Sequence, residues 1–186
     1  MSYQTVFFRD AQEIFKANGM IKIINQTMQG INEDLAESFY RGTSLRTTLD
    51  DCGWRENPES LKIIEGRRYQ FKGFWKRIAI EANLNVYEFL WEGLFRLQVG
   101  YDKGLIDAGL LILCGNRSEK SPLGESLELV KHEVEELFPT ISLPVAITLF
   151  DVERPQLVID NVNPLPDDFD DDFGQVDTGK IGEVAV

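Results

Sequence analysis

The chain has 186 residues, of which 43% are hydrophobic and 11% aromatic, enough for one domain with a sizeable core, and this excludes wholesale disorder. Its net charge of −12 is uneven, because residues 151–186 carry −8 and the first 150 residues only −4, so global acidity argues only weakly against a nucleic-acid partner. Two distant cysteines and a single histidine exclude an ordinary zinc site, and no apolar run approaches the ~20 residues of a membrane span, so we expect a cytoplasmic protein.

Apolar residues at helical spacing characterise the first third of the chain. They predict a helix over 4–18 that ends at Gly19, a second helix over 31–40 and a third over 44–51. We therefore expect a helical N-terminal region ahead of the sheet.

The pattern changes to period two after residue 60. Two short strands are predicted over 61–67 and 69–74, and the clearest strand of the chain over 77–84. One face of that strand carries Ile78, Ile80, Ala82 and Leu84. The opposite face carries Arg77, Ala79, Glu81 and Asn83.

Helices and apolar strands alternate in the remainder. The pattern predicts a helix over 87–101, a buried strand over 106–114, a helix over 125–138, a buried strand over 145–150 and an edge strand over 157–159. Such alternation gives βαβ crossovers, hence an α/β protein with a mixed sheet and helices on both faces. Residues 163–186 are predicted to form an acidic flexible tail, which leaves residues 1–162 as the domain.

Glu81 is the first candidate for chemistry, because it is a carboxylate in the middle of a predicted strand. Such a group must be paired, hydrogen-bonded or bound to a metal ion. Carboxylate oxygens suit Mg²⁺, which in phosphodiester hydrolysis polarises the phosphate and activates a water molecule. The alternative is structural, with Glu81 paired to Arg77 or Lys76 at the end of a half-exposed strand.

A basic segment with interleaved aromatic residues precedes the same strand. Residues 55–77 contain seven cations and three acids. Cations neutralise phosphates and aromatic rings can stack on bases, so the predicted DNA contacts are Arg67, Arg68, Lys72, Lys76 and Arg77. The alternative is a hairpin with a charged outer face and an aromatic inner face.

Short phrases within residues 77–114 resemble a known family. They are Arg-Ile-Ala-Ile-Glu-Ala-Asn at 77–83, a helix that contains 89–96, and Gly-Leu-Ile-Asp-Ala-Gly at 104–109. The chain resembles the BglII-type restriction endonuclease family of the PD-(D/E)xK nuclease fold over roughly residues 44–150. The resemblance implies a restriction-endonuclease-like mixed sheet flanked by helices, and Mg²⁺-dependent cleavage of double-stranded DNA by a homodimer.

The resemblance also implies roles for three residues. Glu81 falls on the family's strand glutamate, a ligand of the catalytic Mg²⁺. Asn83 falls where many members have lysine, and its amide can hold a water molecule but cannot act as a general base. Gln70 falls where the family has an aspartate, and a neutral amide is a poor Mg²⁺ ligand. The missing carboxylate would have to come from another element, for example Glu65, Asp50, Asp51 or Glu37.

Three hypotheses follow from the sequence. The first is a type II restriction endonuclease that cuts DNA with Mg²⁺ as a homodimer on a palindrome. The second is a protein of the same fold that has lost cleavage and serves as a DNA-binding or protein-interaction module, which the neutral Gln70 and the acidic tail favour. The third is an unrelated small α/β protein whose acidic tail docks to a basic partner.

Overall fold

The computed structural model describes residues 2–37, 41–64, 69–115 and 123–152. These residues contain five strands: β1 (Tyr3–Phe8), β2 (Gly73–Trp75), β3 (Ile78–Asn83), β4 (Ala108–Cys114) and β5 (Val145–Phe150). They also contain five α-helices: α1 (Ala11–Ala17), α2 (Ile21–Glu37), α3 (Arg41–Asp51), α4 (Phe89–Asp102) and α5 (Leu123–Glu136). A short 3₁₀ helix lies at Pro58–Leu61.

The strands form one mixed sheet in the order β1-β5-β4-β3-β2. The three central strands β3, β4 and β5 run parallel, and the helices α4 and α5 connect them. The outer strands are antiparallel to their neighbours, β2 to β3 and β1 to β5. The expected α/β architecture with a mixed sheet and flanking helices is confirmed.

A separate apolar core lies on each face of the sheet. One core joins α1, α2 and α3 to the face of β3 that carries Ile78, Ile80, Ala82 and Leu84. The other core joins α4 and α5 to the opposite face, where Ala79 of β3 packs. The alternation of side chains predicted for β3 is therefore correct, and it sends Glu81 toward the side of α4.

The N-terminal element differs from its prediction. Residues 3–8 form the edge strand β1, whereas a helix over 4–18 was expected, and only Ala11–Ala17 is helical. The strand turns into the helix through two residues, Arg9 and Asp10, both with positive φ angles of 52° and 63°. Because this turn has only two residues, the aromatic residues of β1 and the apolar residues of α1 are close in sequence. Together they reproduce the spacing of a single amphipathic helix.

Two further predictions are wrong in their bounds. The helix predicted over 31–40 begins at Ile21, since Ile24, Met28 and Ile31 already face the core. In place of the strand pair predicted over 61–67 and 69–74, the described residues of these ranges form an isolated bridge between Lys62 and Gln70 and the three residues of β2, and residues 65–67 lie outside the described ranges. Leu61 ends a 3₁₀ helix instead.

Several predictions fall on residues outside the described ranges. They concern Arg67, Arg68, Glu65, the edge strand over 157–159 and the acidic tail over 163–186. The division into a domain over 1–162 and a tail also stays a prediction. Within the described residues, no helix combines the length and the apolar character needed to cross a bilayer.

Candidate functional site

The strand β3 holds Glu81 at the centre of the sheet. Glu81 lies opposite Leu111 of the parallel strand β4, and its side chain is 0% exposed. The chain leaves β3, passes through α4 and returns as β4, so that α4 covers this face. Neither carboxylate oxygen of Glu81 has a hydrogen-bond partner among the described residues. Glu81 is therefore a buried carboxylate without a direct hydrogen bond in the described part of the chain.

Two cations provide the charge that faces this carboxylate. Nη1 of Arg96 on α4 lies 3.9 Å from Oε2 of Glu81. Burial raises the pKa of Glu81 to about 7, against the opposing attraction of Arg96 and then Lys72, while Glu92 raises it slightly further. Arg96 also pairs with Glu92, one helical turn earlier. Near neutral pH, the Glu81 side chain therefore exists in both protonation states.

A cleft of about 440 Å³ opens beside this position at the C-terminal end of β3. Its wall combines α3, the segment around residues 70–72, the end of β3 and Arg96 of α4. Among the residues that the structure describes, those that line it include five cations and no acid: Arg41, Arg46, Arg55, Lys72 and Arg96. The cleft is therefore strongly cationic, although the chain as a whole is acidic.

Some of these cations are partly neutralised at the rim. Asp50 lies 2.9 Å from Nε of Arg55 and 3.8 Å from Nε of Arg46. Arg55 also donates through Nη1 to the carbonyl oxygen of Lys72 at 2.7 Å. Asp50 therefore offsets part of the charge of Arg46 and Arg55, as Glu92 does for Arg96.

The structure brings three of the sequence-predicted site residues to this cleft. Gln70, Lys72 and Asn83 all line it, with Glu81 buried behind them. The side-chain oxygen of Asn83 accepts hydrogen bonds from the backbone amides of Asn85 and Val86, at 2.9 and 3.2 Å. Asn83 therefore shapes the turn that ends β3 at the mouth of the cleft.

The other predicted cations that the structure describes, Lys76 and Arg77, lie elsewhere. Lys76 and Arg77 form the tight turn between β2 and β3, at the opposite end of β3 from Asn83, both with positive φ. Arg77 pairs with Asp107 at 2.8 Å and does not reach Glu81 as the structural alternative required. Lys76 lies over the ring of Trp75 instead.

Four cations of the cleft are not among the predicted site residues: Arg41, Arg46, Arg55 and Arg96. Arg55 belongs to the predicted basic segment but is not one of the predicted DNA contacts. Arg96 was assigned to the helix now seen as α4, but its position above Glu81 depends on how that helix crosses the sheet. Arg41 and Arg46 are on α3, which packs against α2 and the opposite face of the sheet. The signal that could have found Arg96 is a cation within the apolar stretch that follows the strand of Glu81.

The residues around Glu81 do not fit a Mg²⁺ ion. Such an ion requires oxygen ligands, usually one or two of them carboxylates, but the charged groups that act most strongly on Glu81 are the cations Arg96 and Lys72, and the carboxylate Glu92 that follows them is paired with Arg96. The described part of the chain contains no group of three or more His, Cys, Asp or Glu residues that could hold a metal. Asp50 is engaged with Arg46 and Arg55. The two unpartnered oxygens of Glu81 favour a bound ion, but they belong to one residue and so provide a single ligand.

Comparisons with known proteins identify the fold. No protein-family profile matches the sequence, and no curated protein does. A crystal structure of the restriction endonuclease BglII complexed with a DNA 16-mer superposes with a TM-score of 0.55 at 11% identity. The match covers 83% of this chain and 79% of that chain. The chain therefore has a restriction-endonuclease-like fold, as its sequence predicted.

Proposed function

We propose that this chain, a protein of the restriction-endonuclease-like fold, binds double-stranded DNA through the phosphates of its backbone and does not hydrolyse it. The observation that carries the proposal is the cationic cleft at the end of β3, whose described lining contains five basic side chains and no acidic one. A protein with a net charge of −12 has little reason to gather cations in one concave surface unless an anion binds there.

The chemistry of the cleft suits a phosphodiester backbone. Lysine and arginine neutralise phosphates and release condensed counterions, while amide side chains such as Gln70 hydrogen-bond to phosphate and sugar oxygens. Tyr69 is 53% exposed next to Gln70 and offers a ring for contact with a sugar or a base. The BglII enzyme of similar fold was crystallised with DNA, which supports the same ligand class here.

The absence of hydrolysis follows from the side chains at the position where catalysis would occur. Glu81 has cations as neighbours where a second carboxylate would be required. Gln70 and Asn83 are neutral amides that neither bind Mg²⁺ tightly nor remove a proton from water. These side chains therefore retain the means to bind a phosphate and lack those to cleave it.

Fluorescence anisotropy with a labelled duplex tests the binding site. Replacement of Arg46, on the rim of the cleft, by alanine should weaken binding several-fold. Lys131→Ala on the outer surface of α5 is the matched control and should bind as the wild type does, because Lys131 is remote from the cleft lining and pairs with Glu128. Equal affinities of Arg46→Ala and the wild type would remove the cleft from the proposed interface.

The variant Lys76→Ala separates two proposed surfaces. Lys76 was predicted from sequence as a DNA contact, but it lies at the opposite end of β3 from the cleft. A loss of affinity in Lys76→Ala that exceeds the loss in Arg46→Ala would move the interface to the turn between β2 and β3. We expect the reverse order.

Mg²⁺-dependent cleavage is the second candidate, and the two unpartnered oxygens of buried Glu81 favour it. A supercoiled plasmid incubated with Mg²⁺ or Mn²⁺ tests this candidate directly. Nicking by the wild type that disappears in Glu81→Ala would establish the nuclease and overturn the binding-only proposal. Sedimentation of the chain with and without a palindromic duplex tests the predicted homodimer in the same series.

A further inference from the structure

We propose that Lys72 supplies, from within the protein, the positive charge that a divalent ion would bring to Glu81, so that the cleft binds a phosphate group directly against Lys72 and Arg96 without a metal. The inference rests on the proposed function and deepens it, because it names the position of the bound phosphate. Its ligand class is a phosphate or phosphodiester anion.

The backbone holds Lys72 at this position. Lys72 immediately precedes β2, and its amide donates to the carbonyl oxygen of Ile80 at 2.9 Å, one residue before Glu81. Its own carbonyl oxygen accepts from Nη1 of Arg55 at 2.7 Å. The main chain of Lys72 is therefore anchored on one side to the strand of Glu81 and on the other to a second cation of the cleft.

The side chain of Lys72 remains available for a ligand. It lines the cleft and is exposed, and its ammonium group makes no hydrogen bond or ion pair within the described ranges. Arg96 by contrast is held by Glu92 and by its approach to Glu81. A phosphate that enters the cleft would thus meet one free ammonium group beside one fixed guanidinium group, a combination of point charge and planar donor that suits phosphate oxygens.

The same arrangement opposes a divalent cation. A metal ion at Glu81 would lie near Lys72 and Arg96, and the second carboxylate of this surrounding, Glu92, is already paired with Arg96. Like charges repel most strongly in a partly desolvated site, where water screens them least. The choice of lysine at position 72 therefore decides between an anion site and a metal site.

Replacement of Lys72 by aspartate provides a gain-of-function test. Lys72→Asp places a second carboxylate beside Glu81, so we expect it to bind Mn²⁺ at least tenfold more tightly than the wild type, as measured by electron paramagnetic resonance of the free ion. Lys76→Asp makes the same change of charge at the far end of β3 and should not gain affinity. The double variant Lys72→Asp/Glu81→Gln should lose the gain.

Two results of this titration would overturn the proposal. One is stoichiometric Mn²⁺ binding by the wild type that Glu81→Gln abolishes. The other is a folded Lys72→Asp variant, as judged by circular dichroism, that binds Mn²⁺ no better than Lys76→Asp.

A second measurement uses inorganic phosphate as the probe, in the presence of EDTA, with the amide chemical shifts of the intact chain as the readout. Phosphate should shift the resonances of residues around Lys72 and Asn83, Lys72→Ala should weaken its affinity about tenfold, and Lys72→Arg should keep most of it. Unchanged phosphate affinity in Lys72→Ala would overturn the inference.

DNA binding by the cleft and phosphate binding by Lys72 can be refuted separately. Lys72-dependent phosphate binding by a chain that does not bind duplex DNA would leave the inference intact and refute the proposed function. DNA binding that needs Arg46 but is the same in Lys72→Ala would support the function and refute the role of Lys72.

Discussion

Glu81 has the most unusual environment of any described residue in this sheet. Both of its oxygens are buried without a hydrogen-bond partner, and its pKa is raised to about 7 because burial disfavours the charged form more than Arg96 and Lys72 favour it. A raised pKa couples the stability of the fold to pH, because the folded chain holds a proton on Glu81 that the unfolded chain has already released.

The sign of that coupling gives the first prediction. The contribution of Glu81 to stability is greatest below the ordinary carboxyl pKa of 4.5 and falls as pH rises toward 7, where the folded state also loses the proton. The full loss between these values is about 3 kcal/mol. Urea unfolding from pH 4.5 to 8.5 should show that Glu81→Gln lacks this loss. The free energy of unfolding of the variant should therefore rise relative to that of the wild type as pH increases.

The exposed Glu135 on α5 serves as the control for that experiment. Glu135→Gln should follow the pH profile of the wild type, since its side chain is in contact with solvent in both states. Parallel profiles for wild type and Glu81→Gln would mean that Glu81 titrates in the folded chain as it does in the unfolded one.

At this scale the sequence predicted the position of Glu81 but not its neighbours. The alternation from Ile78 to Asn83 identified which side chains share a face, because period two is a local property of a strand. Arg96 is 15 residues further on, and its approach to Glu81 depends on the angle at which α4 crosses the sheet. Pairing with Arg77, the alternative drawn from nearness in sequence, does not occur, because Arg77 turns to Asp107.

At the scale of elements, two glycines allow α4 to approach its neighbours closely. A Cβ atom at position 93 would lie 2.5 Å from Cδ1 of Leu111 on β4, and one at position 100 would lie 2.5 Å from Cζ of Phe71. Phe71 follows Gln70 in the wall of the cleft. The close packing of α4 on the sheet therefore also determines the position of Arg96 relative to Glu81.

The second prediction concerns this contact. Gly93→Ala should destabilise the fold by about 2 kcal/mol, because the overpacking against Leu111 outweighs the better helix propensity of alanine. Gly124→Ala near the start of α5 meets nothing within 4 Å and should be neutral or slightly stabilising. Thermal or urea unfolding of the two variants gives the comparison, and a Gly93→Ala variant as stable as Gly124→Ala would show that α4 has room to shift.

The elements that sequence reasoning located well are those with a complete local signal. The strand predicted over 145–150 matches β5 residue for residue, because every one of its side chains is buried and the run is entirely apolar or small. The edge strand β1 gives no such signal: its residues are mostly half-buried or exposed, and its partner β5 lies more than 130 residues away. A pairing between residues so far apart in sequence cannot be recognised from a short segment of the chain.

At the scale of the whole molecule, the charge is unevenly distributed, because the chain is acidic and the cleft is lined by cations. Five aspartates at residues 167–172 contribute strongly to the net charge of −12, whereas the described residues that line the cleft include no acid. Long-range repulsion from the acidic residues should oppose the approach of DNA, whereas the cleft provides the short-range attraction.

The third prediction follows from this opposition. Replacement of the five aspartates at 167–172 by asparagine should increase affinity for duplex DNA several-fold at low salt, and the two affinities should converge as salt rises. A plot of the logarithm of affinity against that of salt concentration should also be less steep for Arg46→Ala than for the wild type, by about 1 for each lost phosphate contact. If the asparagine variant bound DNA as tightly as the wild type at every salt concentration, the five aspartates would not repel DNA.

The most direct measurement of the central claim is the affinity of one labelled duplex for the wild type and for Lys72→Ala/Arg46→Ala, in EDTA and in Mg²⁺ at matched ionic strength. We expect the wild type to bind equally well in both buffers and to leave the duplex intact, and the double variant to bind at least tenfold more weakly in each. Binding that requires Mg²⁺, cleavage of the duplex in its presence, or undiminished affinity of the double variant would contradict the claim that this cleft holds DNA through its own cations.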